Sequence, residues 1–99
     1  MKYSIVVTQT AQEDIDGLGA RWKTPIFQAM RKHLEHEPKK ESKSRIKKMR
    51  GLRQPQYRLR VEGLRIYYDV DDQDQRVEVL GITLKERSFD WLSQHGVPE

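Results

Sequence analysis

QYRLRVEGLRIYYDV, residues Gln56 to Val70, is the stretch on which the fold turns. Apolar and polar residues alternate along its first arm: Tyr57, Leu59 and Val61 point one way, Arg58 and Arg60 the other. Glu62-Gly63 serves as a two-residue turn. A hairpin closed there pairs Val61 with Leu64, Arg60 with Arg65, Leu59 with Ile66 and Arg58 with Tyr67. Arg58, Arg60, Arg65 and Tyr67 then share one face, opposite the apolar one. Like charges directly across a hairpin destabilise it by a few tenths to roughly 1 kcal/mol. A sheet face with no task would carry opposite charges there, so three arginines and a tyrosine point to a site for a polyanion.

The hairpin lies in a wider basic region. Between Lys39 and Arg65 stand 11 of the 19 basic residues, opposed only by Glu41 and Glu62. Net charge is +4, and the pI of about 9.5 favours an acidic partner such as nucleic acid. Lys39, Lys40, Lys43, Arg45, Lys47 and Lys48 read as an exposed basic loop that grips phosphate. Ninety-nine residues make one domain, 1–99, with one modest core. The chain has no cysteine, hence no disulfide or thiolate site. The apolar run of MKYSIVVTQT is too short for a signal peptide, and no stretch approaches a membrane span. A cytoplasmic protein without membrane contact is expected.

Outward from the hairpin, Met1 to Thr8 reads as a strand. Thr10 and Glu13 form a capping box for a helix whose buried stripe is Ala11, Ile15, Leu18 and Trp22. Thr24 as N-cap and Pro25 as first helical residue open a second helix, with Phe27, Met30 and Leu34 inward, ending before Pro38. After a turn at Asp71 to Asp74, Gln75 to Thr83 forms a third antiparallel strand. It is expected to pair Tyr68 with Val77 and Ile66 with Val79, with Glu78 beside Tyr67. Leu80 and Ile82 then fall on the charged face, where a short helix within Leu84 to Gln94 can cover them, turning Phe89 and Trp91 or Leu92 inward. The class is α+β: a strand, a helical hairpin, a three-stranded antiparallel meander and a short C-terminal helix. The helical hairpin takes one sheet face, leaving the arginine face open. His33 and His36 lack partners at metal-binding spacing, so no metal or cofactor is expected. The aspartates at 69, 71, 72 and 74 lack the glycine and final glutamate of a calcium loop.

Arg45-Ile46-Lys47-Lys48-Met49-Arg50-Gly51-Leu52-Arg53, followed by Tyr57-Arg58-Leu59-Arg60-Val61, Gly63-Leu64-Arg65-Ile66-Tyr67-Tyr68 and Val77-Glu78-Val79-Leu80, resembles the RelE/ParE superfamily of type II toxins. The resemblance spans essentially the whole chain and implies a RelE-like messenger-RNA endoribonuclease acting in the ribosome. The ParE-like alternative is a gyrase poison on the same fold. The resemblance implies a small acidic antitoxin as partner, with mRNA and ribosomal RNA as targets. It assigns catalysis to Arg58, Arg60, Arg65 and Lys85 and aligns Trp91 with an aromatic of the tail; RNA binding is expected of Trp91, of Tyr67 on the same face and, by charge, of Lys43, Arg45, Lys47, Lys48 and Arg50. Arginines stand here where RelE has paired lysines, and tryptophan where its tail has tyrosine. Guanidinium stabilises a phosphorane but does not shuttle protons. Lys85 is therefore the candidate acid or base, with His95 the alternative.

Overall fold

The computed structural model describes residues 2–99; Met1, expected to start the first strand, lies outside them. The order is β1 (Ser4–Val7), α1 (Gln9–Leu18), α2 (Lys23–Leu34), β2 (Ile46–Lys48), β3 (Leu52–Gln54), β4 (Tyr57–Val61), β5 (Leu64–Asp71), β6 (Arg76–Leu84), α3 (Ser88–His95) and β7 (Val97–Pro98). Single 3-10 turns at Ala20–Trp22 and Lys85–Arg87 lead into α2 and α3. The architecture is the expected α+β one. Five strands form a sheet in the order β1-β6-β5-β4-β2, and β3 pairs with β7 in a separate ribbon. Only the β1–β6 pair is parallel.

The decisive hairpin has the register its sequence dictates: Arg58 faces Tyr67, Leu59 faces Ile66, Arg60 faces Arg65 and Val61 faces Leu64. Glu62 takes φ 49° in the turn. One sheet face packs on α1 and α2. Ala11, Ile15, Ile26, Met30 and Leu34 meet Leu59, Ile66, Tyr68, Val77, Val79 and Ile82 in one core. Tyr68 donates from its hydroxyl to the Pro38 carbonyl at 2.6 Å, so its buried oxygen is satisfied.

Four expectations need correction. The α1 N-cap is Thr8, not Thr10: its Oγ1 accepts from Ala11 N–H and donates to the Val79 carbonyl at 2.8 Å, joining helix to sheet. α2 begins at Lys23, because the 3-10 turn already supplies helical backbone, so Thr24 and Pro25 sit inside the first turn. Residues 46–48 of the basic loop are a strand, and a second, two-stranded ribbon ties residues 52–54 to the C-terminal segment.

The fourth correction concerns β6. Tyr67 pairs with Gly81 but Tyr68 pairs with Val79, so Leu80 is an extra residue in a bulge. Tyr68 therefore does not meet Val77, nor Ile66 Val79; Ile66 meets Ile82, and Glu78 lies opposite Asp69, not Tyr67. One added residue exchanges the two faces of a strand. Ile82 is thus returned to the core, where it is 2% exposed. β1 has ended by this point, and Asp14 from α1 accepts the Ile82 N–H at 3.0 Å in its place.

Candidate functional site

β2 widens the arginine face. Lys47 pairs with Arg58, Arg58 with Tyr67, and Tyr67 with Gly81, giving one row of residues across four strands. In the next row Arg45 hydrogen-bonds Arg60 through the backbone at 2.9 Å, Arg60 pairs with Arg65, and Arg65 with Thr83. Five cations occupy these two rows with no carboxylate among them. Among the described residues none of the five forms an ion pair. Elsewhere in the basic run partners do exist: Lys39 pairs with Asp72, and Lys40 with Glu37 at 3.5 Å. The unpaired positive charge is therefore concentrated on the β2–β4 half of the sheet.

The β5–β6 half is covered by the C-terminal helix, as expected, although what lies beneath is Tyr67 and Gly81, not Ile82. α3 lies across it. Trp91 stacks on Tyr67 with ring centroids 4.7 Å apart and planes 9° apart, and the His95 ring lies 4.7 Å from it, tilted by 33°. Trp91 can lie this close because its neighbour in β6 is Gly81; a Cβ there would fall inside the indole. Tyr67 is fully buried and Trp91 is 8% exposed, so neither is a free stacking surface. Phe89, expected inward, is 79% exposed because the helix phase that buries Trp91 turns it away.

Arg65 is 4% exposed. Its Nη1 donates to the Leu64 carbonyl at 2.9 Å and towards the Glu62 carbonyl at 3.4 Å, the two residues flanking Gly63 in the hairpin turn. Burial, then Arg60 and Arg58, hold its pKa below the ordinary guanidinium value. Arg58 is half-buried and Arg60 exposed. Lys85 is exposed, and its N–H donates to the Gly63 carbonyl at 2.7 Å, which anchors it to the same turn. Arg60, Arg65 and Lys85 thus lie towards the turn end of the hairpin, and Arg58 lies one row further from it. Lys43 and Arg50 lie on exposed loops, Lys48 on the edge strand beside Lys47. Burial raises the Tyr67 pKa, opposed by Ser88, Arg58 and Arg65. The Ser88 hydroxyl nevertheless donates to the Lys85 carbonyl at 2.9 Å, and Tyr67 Oη has no hydrogen bond of good geometry. Gly81 and Asp14 escaped the sequence reading. The Gly81 signal was a glycine inside a strand pattern, which marks a bulge or a close approach; Asp14 gave none.

Solved structures of similar fold share this arrangement of strands and helices. An archaeal RelE–RelB complex from Pyrococcus horikoshii has a chain 22% identical with TM-score 0.68, covering 89% of this chain and 100% of that one. A RelBE2 toxin–antitoxin complex from Mycobacterium tuberculosis gives 22% identity and TM-score 0.66, over 85% and 99%. A mutant of E. coli toxin RelE in the free state gives 19% and 0.56, over 92% of both chains. No curated protein matches by sequence. The fold is thus that of RelE-type toxins. Residues 5–89 match the family model described as the ParE toxin of the type II toxin–antitoxin system parDE. The chain belongs to that family, within the RelE/ParE superfamily, and is a toxin of a type II toxin–antitoxin system.

Proposed function

We propose that this toxin is a RelE-like, metal-independent endoribonuclease that cuts ribosome-bound mRNA in the cytoplasm, with residues 1–99 acting as one toxin domain. The observation that carries this reading is the pair of cross-strand rows holding Arg45, Lys47, Arg58, Arg60 and Arg65 without a carboxylate. Like-charged neighbours disfavour the sheet, and a polyphosphate chain relieves them. In such a reaction the RNA 2′-hydroxyl attacks the adjacent phosphorus and the 5′-oxygen leaves. Arg58 and Arg60 stabilise the phosphorane charge, while Arg65 stiffens the turn beside them. Lys85, anchored to that turn, delivers or accepts the proton; His95 is the alternative. Lys43, Lys48 and Arg50 hold flanking phosphates of mRNA or ribosomal RNA.

An antitoxin partner fits the same surface. The M. tuberculosis chain is described in a toxin–antitoxin complex and the P. horikoshii chain in a RelE–RelB complex. A small acidic partner would be steered to the unpaired cations and could displace α3. A second reading, a ParE-like gyrase inhibitor without catalysis, is favoured by α3 over half of the candidate face and by the burial of Arg65.

Mapping RNA 5′ ends and plasmid supercoiling after induced expression separates the two. New 5′ ends within coding regions with unchanged supercoiling are expected. Relaxed plasmid without new RNA ends would overturn the nuclease reading in favour of gyrase.

A further inference from the structure

Three buried polar atoms among the described residues have no hydrogen-bond partner: Arg58 Nε, Tyr67 Oη and Trp91 Nε1. Folded proteins leave few such atoms unpaired. These three are neighbours, because Arg58 pairs with Tyr67 across the hairpin and Trp91 stacks on Tyr67. Their chemistry explains the mismatch. Arginine Nε and indole Nε1 are donors only, so the indole edge offers Arg58 no acceptor. Beneath the ring lies the bare backbone of Gly81, so the space between β6 and the Tyr67 ring has the shape of a flat bicyclic group.

We propose that this slot is a base-stacking subsite for a purine nucleotide of single-stranded nucleic acid, and that Trp91 fills it in the free protein as an internal stand-in. The inference rests on the reading that the toxin acts on RNA. A purine has the fused-ring outline of indole but carries acceptor nitrogens on its edge, which Arg58 Nε and the Tyr67 hydroxyl lack as partners at present. Its phosphate would lie towards Arg58, Lys47 and Arg60, the cations of the neighbouring strands.

The plug can leave. α3 has eight residues, too few to be stable alone, and Trp91 is its one buried residue. Its far end is held by the β3–β7 ribbon, in which Leu52 pairs with Pro98 and Gln54 with Val97. Release of that short ribbon frees the helix without disturbing the five-stranded sheet.

Fluorescence tests the inference on the full chain. Trp22→Phe leaves Trp91 as the sole tryptophan. Titration with adenosine monophosphate, oligoadenylate and oligodeoxyadenylate is expected to move its emission to longer wavelength, saturably, as the ring passes into water. A shift with either strand type supports the slot, and a shift with RNA alone adds a 2′-hydroxyl contact. Trp91→Ala, which empties the slot, is expected to bind adenosine monophosphate at least tenfold more tightly. Adding Gly81→Val, which refills it, should abolish that gain while circular dichroism is unchanged. Emission that stays fixed at saturating oligonucleotide, or no gain from Trp91→Ala in a folded protein, overturns the proposal. Base binding without RNA cleavage keeps the slot and removes the nuclease reading. Cleavage with Trp91 emission unmoved does the reverse.

Discussion

At the scale of single residues, Arg65 joins two roles. Its charge belongs to the basic rows, and its Nη1 satisfies carbonyls in the hairpin turn. Arg65→Ala is therefore expected to lower stability by about 1–3 kcal/mol, because buried carbonyls lose their donor. It is also expected to reduce RNA cleavage a hundredfold or more. Denaturant unfolding read beside the cleavage rate checks both, and a variant with wild-type stability would refute the turn-bracing role. The sequence placed Arg65 opposite Arg60 correctly, since strand alternation and turn length fix that register. Its burial was not legible, because strand alternation assigns a residue to a face and does not show what lies over that face. His33 gives a pH prediction. Burial, then Arg45 and Lys32, lower its pKa from the ordinary 6.5. The unfolded chain then binds a proton that the folded one resists. His33 therefore takes away no stability above pH 6.5, and destabilises progressively as pH falls below it. His33→Gln is expected to flatten the melting temperature between about pH 6.5 and 5; an unchanged slope would place the acid sensitivity elsewhere.

At the scale of elements, the β6 bulge decides what the molecule offers on each face. A pattern of alternating residues carries no mark of an inserted one, so Val77, Val79 and Ile82 could not be placed on one side from sequence. The helices were legible from their apolar stripes, but their first residues were not. Thr8 and Thr10 cap equally well by type, and the end of β1 chooses between them. The short strands β2, β3 and β7 escaped for a different reason. Two or three residues show no period, and their pairing partners lie far along the chain. Gly81→Ala tests the element-level arrangement. Its Cβ enters the space of the Trp91 ring, so α3 is expected to lift, with a loss of about 1–3 kcal/mol from overpacking. Faster amide exchange in residues 88–95, with the five-stranded sheet still protected, is the expected signature. Uniform exchange across both would mean that α3 and the sheet unfold as one.

At the scale of the whole molecule, charge is sorted by position more than by amount. The acidic turn after β5 takes up Arg76 and Lys39 in ion pairs, while the β2–β4 half of the sheet keeps its cations free. Neutralising Lys43, Arg45, Lys47 and Lys48 together is expected to weaken RNA binding and flatten its salt dependence. The slope of log affinity against log salt should fall by roughly 0.7 for each lost phosphate contact on a single strand. The positions of cleavage should stay the same. Binding measured from low to moderate salt checks this, and an unaltered slope would show that these four residues touch no phosphate. This sorting was half visible in the sequence. The cluster was plain, but only the pairing of Lys47 with Arg58 shows which part of it belongs to the face.

The outer rim of β2 is already occupied by its own chain. Ser42 N–H donates to the Ile46 carbonyl at 3.0 Å, Ser42 Oγ accepts from Ile46 N–H, and Glu41 accepts the Lys48 N–H at 2.9 Å. β1 forms the opposite rim and pairs with β6 alone. In the language of polymers, a unit with two reactive ends propagates and a unit with one only couples. The five-stranded sheet of this molecule has one. If native copies join edge to edge through β1, the product has both of its remaining rims closed, and growth stops at two. Among the described residues the five-stranded sheet thus offers one rim for such pairing, and the rim that is closed is the one beside the cations.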